Sequence, residues 1–162
     1  MVPPRAADRG ETLVEMLVSI VILGIAGVAI LAGVEMTVKS SDLGRKQASG
    51  GSYVRSLAEV IQNSVQAGGY STACASYVTP AAKTAAGIPS TYTVQAAPTK
   101  VWNGSGWVGC PGTPDNGTQQ ITLTVTSSGS GAHQAIETLT MIVRKPCTGP
   151  VPAPGSQTVK PC

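Results

Sequence analysis

One uncharged apolar run, Met16 to Val34, limits what this chain can fold into more than any other feature of it. The run is nineteen residues long, and its only hydroxyl is Ser19. At about 1.5 Å of rise per residue, a helix over it measures roughly 28 Å, close to the roughly 30 Å hydrocarbon core of a bilayer. A secretory signal peptide wants a shorter apolar core, roughly 7–15 residues, closed by a small-x-small cleavage site. Here the run is longer, and Glu35-Met36-Thr37-Val38-Lys39 follows in place of such a site. The pattern predicts a membrane-crossing anchor that is not removed at its outer end. The residues ahead of Glu11, MVPPRAADRG, are hydrophilic and set Arg5 and Arg9 against Asp8. By the positive-inside rule they stay cytoplasmic, and everything from Glu35 onward faces out.

Two carboxylates, Glu11 and Glu15, stand at the mouth of this run. An ionisable group at membrane depth is costly and calls for a named partner. At headgroup level, an acid on a helix N-terminus is also favoured by the helix dipole, which accounts for it without a partner. The string around them, G-E-T-L-V-E-M from Gly10 to Met16, adds a second constraint. It resembles the cleavage and methylation segment of type IV prepilins and pseudopilins, in which a short basic leader ends in Gly, a Thr-Leu-hydrophobic-Glu string follows, and a long apolar helix comes next. The resemblance covers roughly the first quarter of the chain. It implies that a membrane-embedded aspartic prepilin peptidase cuts between Gly10 and Glu11 and methylates the new amine. A residue without a side chain at Gly10 lets a peptidase approach the backbone closely.

By the same resemblance, Thr12, Leu13 and Val14 belong to the assembly segment, and Glu15 becomes the fifth residue of the mature chain. Its carboxylate is then expected to neutralise the N-terminal amine of a neighbouring subunit, which turns a buried charge into a registration device. Two departures from the family pattern point to a minor pilin or pseudopilin. Glu11 stands where Phe is usual, and Ala32-Gly33 stands where major pilins often carry Pro. Gly24, Gly27 and Gly33 read as close-packing sites in a filament core.

Past the membrane, Glu35 to about Ala67 reads as a continuing helix with an interruption near Gly50-Gly51. Leu57, Val60, Ile61 and Val65 recur at three- and four-residue steps, with Arg55, Glu59 and Gln62 on other faces. Gly68-Gly69 is the expected stop. Composition then shifts to Thr, Ser, Gly and Pro, and three β-rich runs follow: Thr91 to Trp102, Thr118 to Ser127 and Ala135 to Arg144. Ile121, Leu123 and Val125 share one face, and Leu139, Met141 and Val143 can supply its partner. A short strand over 106–109 returns across Asn103-Gly104, and 127–131 turns the second run into the third. A small antiparallel sheet of this kind needs a cover, and the amphipathic half of the long helix is the available one. The fold class is therefore α+β, a long N-terminal helix packed by its second half on a small antiparallel head. That order matches the lollipop which the resemblance implies. The expected division is a leader over 1–10, a membrane and assembly helix over 11–35, its continuation over 36–67, and an outward head over 68–162.

Cys74, Cys110, Cys147 and Cys162 all fall in the outward portion, and an even number outside the cytoplasm suggests two disulfides. Four cysteines allow three connectivities. We select Cys74–Cys110 and Cys147–Cys162, because the second closes a Pro/Gly-rich tail much like the C-terminal disulfide loop of many pilins. No C-x-x-C exists and His133 is the single histidine, so no metal site is expected. Trp102 and Trp107 admit two readings, an exposed aromatic binding pair or plugs at the end of the sheet, and the second takes precedence. Asn103-Gly-Ser and Asn116-Gly-Thr fit the glycosylation pattern, and the turn reading of Asn-Gly takes precedence.

Catalytic material is sparse: the acids of the head are Asp115 and Glu137, and no nucleophile motif occurs. We therefore expect no enzyme and no cofactor. With 12% charged residues and a net charge of +3, the chain has no basic block. Lys83, Lys100, Arg144, Lys145 and Lys160 are too scattered for the sequence to assign a nucleic-acid partner. The expected function is a structural subunit of a type IV pilus-like filament. Its partners are the prepilin peptidase, other pilin-like subunits, the pilus assembly platform and, before assembly, membrane lipid. Its location is the cytoplasmic membrane and then the cell-surface filament. The alternative is a membrane-anchored extracellular module that captures DNA or a surface polymer and never polymerises. Such a module would keep its leader.

Overall fold

The computed structural model describes residues 11–110 and 115–147. The chain divides into two compact units, the first ending at Asp42 and the second beginning at Leu43. Helix α1 (Glu11–Ser64) contributes to both. In the first unit its side chains from Leu13 to Asp42 are all exposed.

In the second unit the same helix becomes amphipathic. Val54, Leu57, Ala58, Ile61 and Val65 are buried at three- and four-residue steps, while Arg55, Glu59 and Gln62 stay exposed. They join one cluster with Val94, Ile121, Leu123, Val125, Met141 and Val143 of the sheet. The expected interruption near Gly50-Gly51 is absent, and the helix runs through it. The cost of a helical glycine, about 1 kcal/mol relative to Ala, is local and small. Packing on the sheet outweighs it. Gly50 is buried, and a Cβ there would stand 3.2 Å from Glu137 Cγ and 3.8 Å from the Tyr92 ring. The glycine thus marks a close approach of helix to sheet. Helical geometry ends in a π turn, Val65–Gly69, where Gly68 adopts φ +96°. That left-handed step is open to glycine at little cost.

A short helix, α2 (Pro80–Ala85), follows the turn. The Thr79 hydroxyl caps it by accepting from the Ala82 N–H at 3.1 Å, and Pro80 occupies the first turn, where a missing N–H costs nothing. Five strands complete the unit: β1 (Tyr92–Ala96), β2 (Lys100–Trp102), β3 (Trp107–Gly109), β4 (Thr118–Ser127) and β5 (Ile136–Arg144). All pairings are antiparallel, so the class is α+β. β5 flanks β4 from Thr118↔Arg144 to Thr126↔Ile136. Along the other edge of β4 lie β1 and β2 end to end, as the registers Val94↔Val125 and Val101↔Gln119 place them. The run from Thr91 to Trp102 is therefore two strands, because Pro98 has no N–H to give the ladder. β3 returns on β2 across Asn103-Gly104, and a single 3-10 turn, Gly131–His133, sits between β4 and β5.

Candidate functional site

Two places in the molecule carry side chains with functional potential, and they lie in different units. The first is the start of α1. Glu11 opens the helix, Gly10 lies outside the described residues, and so do the side chains of Glu11 and Thr12. Leu13 is 70% exposed, and Val14 and Glu15 are exposed beside it. Among the described residues Glu15 has no hydrogen-bond or ion-pair partner. The apolar surface continues beyond, with Leu23 75% and Leu31 72% exposed. A contiguous apolar patch of this size marks a membrane or protein interaction surface. α1 is the one helix, among the described residues, that is long and apolar enough to cross a membrane. At Gly24, Gly27 and Gly33 a Cβ would meet nothing within 4 Å, so no contact inside this chain requires their small size. Past the run, Lys39 pairs with Glu35 one helical turn away.

The second place is a polar knot where the chain leaves α1 and enters the sheet. The Tyr70 hydroxyl reaches both oxygens of the Asp115 carboxylate at 2.9 Å. The Gly117 N–H donates to Asp115 Oδ1 at 2.8 Å, and Gln119 Nε2 donates to Oδ2 at 2.6 Å. Gln119 is fully buried, yet every polar atom of its amide is engaged. Its nitrogen also donates to the Ser71 carbonyl at 2.8 Å, and its oxygen accepts from the Tyr77 hydroxyl at 2.8 Å. Tyr77 in turn accepts from the Ser71 N–H at 3.2 Å. Cys74 and Cys110 are disulfide-bonded beside the knot, with Cα atoms 6.0 Å apart. Cys147 is also disulfide-bonded, and its expected partner Cys162 lies outside the described residues.

The knot was not anticipated from sequence, although one signal was present. Gln119 occupies the inward parity of β4 with Ile121, Leu123 and Val125, where an amide must find partners or be very costly. Chemically the arrangement holds the 70–77 connection against the sheet and offers no nucleophile with an adjacent base. A cavity of about 360 Å³ nearby is lined by Val60, Ile61, Tyr77 and small Ala and Ser residues, and it brings no general acid or base to a reacting position. No cluster of three metal-ligating side chains exists among the described residues.

Burial pushes the Tyr70 phenol well above its ordinary value near 10, and the Asp115 carboxylate adds to the rise. Burial raises Tyr77 as well, opposed by the Ser71 N–H and assisted by Asp115. A folded-state value above the unfolded one means stability that is fully present below the unfolded value and is lost as pH rises toward the folded one. The second unit should therefore hold level stability up to pH about 10 and weaken above it. In Tyr70→Phe and Tyr77→Phe the alkaline fall should be shallower, measured as the urea midpoint against pH. An unchanged fall in both variants would remove the knot as its cause.

Other expectations resolve at the hairpin. Asn103 Oδ1 accepts from Ser105 N–H at 3.0 Å and Gly106 N–H at 2.8 Å, so this Asn-Gly builds the turn. Trp102 and Trp107 do not enter the core. They meet edge to face, with ring centroids 5.4 Å apart, on the side of the hairpin opposite buried Val101. His133 is exposed, and its carbonyl accepts from Lys46 Nζ at 3.2 Å.

No curated protein and no solved structure matches this chain. Over residues 5–31 it matches the family model described as the prokaryotic N-terminal methylation motif, and the chain thereby carries the type IV prepilin and pseudopilin signal.

Proposed function

We propose that this chain is a minor pilin or pseudopilin, a structural subunit of a type IV pilus-like filament. Prepilin peptidase cuts it between Gly10 and Glu11 while residues 11–35 hold it in the cytoplasmic membrane, single-pass, with the head over 68–162 outside. The assembly platform then moves it from lipid into the filament, where the same helical stretch packs on other pilin-like subunits. The supporting observation is a coincidence of two findings on one segment. The methylation motif covers residues 5–31, and over the described part of it, from Leu13 onward, the helix leaves its apolar side chains exposed. A surface of that kind is covered by lipid before assembly and by neighbouring helices after it. Glu15 has no partner among the described residues, and in this reading its carboxylate receives the amine of the next subunit. In this reading the chain is the substrate of a reaction and performs none.

The test is the mass of the N-terminal peptide from the native membrane, with Gly10→Ala alongside. The expected mature chain starts at Glu11 with a methylated amine, and Gly10→Ala blocks the cut. A retained Met1 leader, or cleavage after Ala32 or Gly33, would sink the filament reading and leave a plain anchor or a secreted head.

A further inference from the structure

The sheet has a second face, turned away from α1, and the strand register states what lies on it. Across β4 and β5 the rows pair Thr124 with Thr138, Thr122 with Thr140, Gln120 with Ile142 and Thr118 with Arg144. Lys100 of β2 stands beside Gln120, and Trp102 faces Trp107 across the hairpin. Because Val101 between them is fully buried, Lys100 and Trp102 share the outward side. Glu137, the single acid in the five strands, has the opposite parity, paired with inward Val125. The outward face therefore carries no strand carboxylate.

Its chemistry is sorted along its length. One end holds two indoles and two cations. Trp102 is 37% exposed, and neither Lys100 nor Arg144 has a salt-bridge partner among the described residues. The rest is mainly hydroxyl and amide, with the exposed side chains of Ile142 and Ile136 among them. The Thr122 and Thr140 hydroxyls lie 3.0 Å apart, and those of Thr124 and Thr138 lie 3.4 Å apart. Each hydroxyl has one donor and two acceptor lone pairs, so each pair keeps both functions available to a ligand.

We infer that this face binds an anionic polysaccharide. Sugar hydroxyls both donate and accept, as the threonine rows do, and the C–H faces of pyranose rings lie against indole edges and faces. Widely spaced carboxylates on such a polymer match two cations gathered at one end and opposed by no acid. A single-stranded nucleic acid matches less well. It carries a charge at every nucleotide and wants cations along the whole track, with parallel aromatic platforms for its bases. Here the cations are confined to one end, and the two indoles are inclined at 65°. This role is additional to filament assembly and rests on the sheet alone.

The test is calorimetric titration of the full chain in detergent micelles with oligogalacturonate. A maltooligosaccharide serves as the uncharged comparison and oligothymidylate as the phosphate polymer. Saturable oligogalacturonate binding is expected, weakened about tenfold or more in Trp102→Ala and in the double variant Lys100→Gln with Arg144→Gln. The two charged side chains are exposed and make no ion pair among the described residues, so the double variant reports on binding even where loss of Trp102 disturbs the hairpin, and circular dichroism checks both. The inference is overturned by absence of saturable binding, by binding indifferent to the double variant, or by equal affinity for the uncharged sugar. Tighter oligothymidylate binding with the same losses would overturn it in favour of a nucleic acid.

Discussion

Replacing Glu15 by Ala is expected to leave cleavage after Gly10 intact and to reduce incorporation into filaments at least about tenfold. Glu15 projects from α1 between the exposed apolar residues Val14 and Met16, and it has no partner in its own chain among the described residues. A carboxylate at membrane depth costs roughly 2.5–3.5 kcal/mol on insertion scales, so one without a counter-charge is a persistent liability. In the proposed filament that cost is offset by the amine of a neighbouring subunit. Removing one partner of such a buried pair leaves the other charge uncompensated, at roughly 3–5 kcal/mol. Since about 1.4 kcal/mol is a factor of ten in an equilibrium, even a fraction of that loss empties the filament of the variant. Glu15→Gln separates charge from size. It keeps the length and hydrogen bonding of the side chain, and under the pairing argument it fails as Ala does. Sheared-filament immunoblots normalised to membrane-held subunit measure incorporation, and N-terminal mass confirms that processing went on. Wild-type incorporation of Glu15→Gln would end the pairing role and leave the carboxylate as a headgroup-level helix cap.

The parts of this molecule that were legible in its sequence are those governed by periodicity. A 3.6-residue pattern from Leu57 to Val65 and the alternation from Ile121 to Val125 each report which face meets a core, and those faces meet each other in one cluster. The motif at the start of α1 was legible for a different reason, since it is a fixed string of residue types that depends on no tertiary contact. Misreadings arose where a local signal met a tertiary one. Gly50-Gly51 looked like a break because glycine weakens a helix locally, but packing on the sheet, from Gly50 itself to Val54 and Leu57, carries the helix across. Thr79-Pro80 is a good helix start that a six-residue helix leaves too little periodicity to reveal. The polar knot could not be assembled in advance, because Tyr77 and Ser71 lie 42 and 48 positions from Gln119 and nothing in local order links them. The same holds for Lys100 and Arg144, scattered in sequence and brought onto one face by the strand register.

Leu57→Ala should lower the stability of the second unit by about 3 kcal/mol, within the usual 2–5 kcal/mol range for such truncations. Leu57 is fully buried on α1, in one cluster with Ile61, Ile121 and Leu123. The core of this unit is a thin layer between α1 and the sheet, closed at its side by Ala86 and the residues about α2, so little else can shift to fill the gap that the missing atoms leave. Domains of this size have roughly 5–15 kcal/mol in total, and 1 kcal/mol shifts Tm by about 2–8 °C. A loss of roughly 10 °C or more in near-ultraviolet circular dichroism of the full chain is therefore expected. Leu13→Ala makes the decisive comparison, since it is the same change on the same helix at a residue 70% exposed. It should leave that Tm in place, because Leu13 makes no contribution to the core cluster. The helix would then serve two solvents with one residue type, its apolar surface buried by the sheet at Leu57 and left for lipid or neighbouring subunits at Leu13. Equal Tm losses in the two variants would mean that the first unit stabilises the second. An unchanged Tm in Leu57→Ala would mean that the sheet holds without the helix.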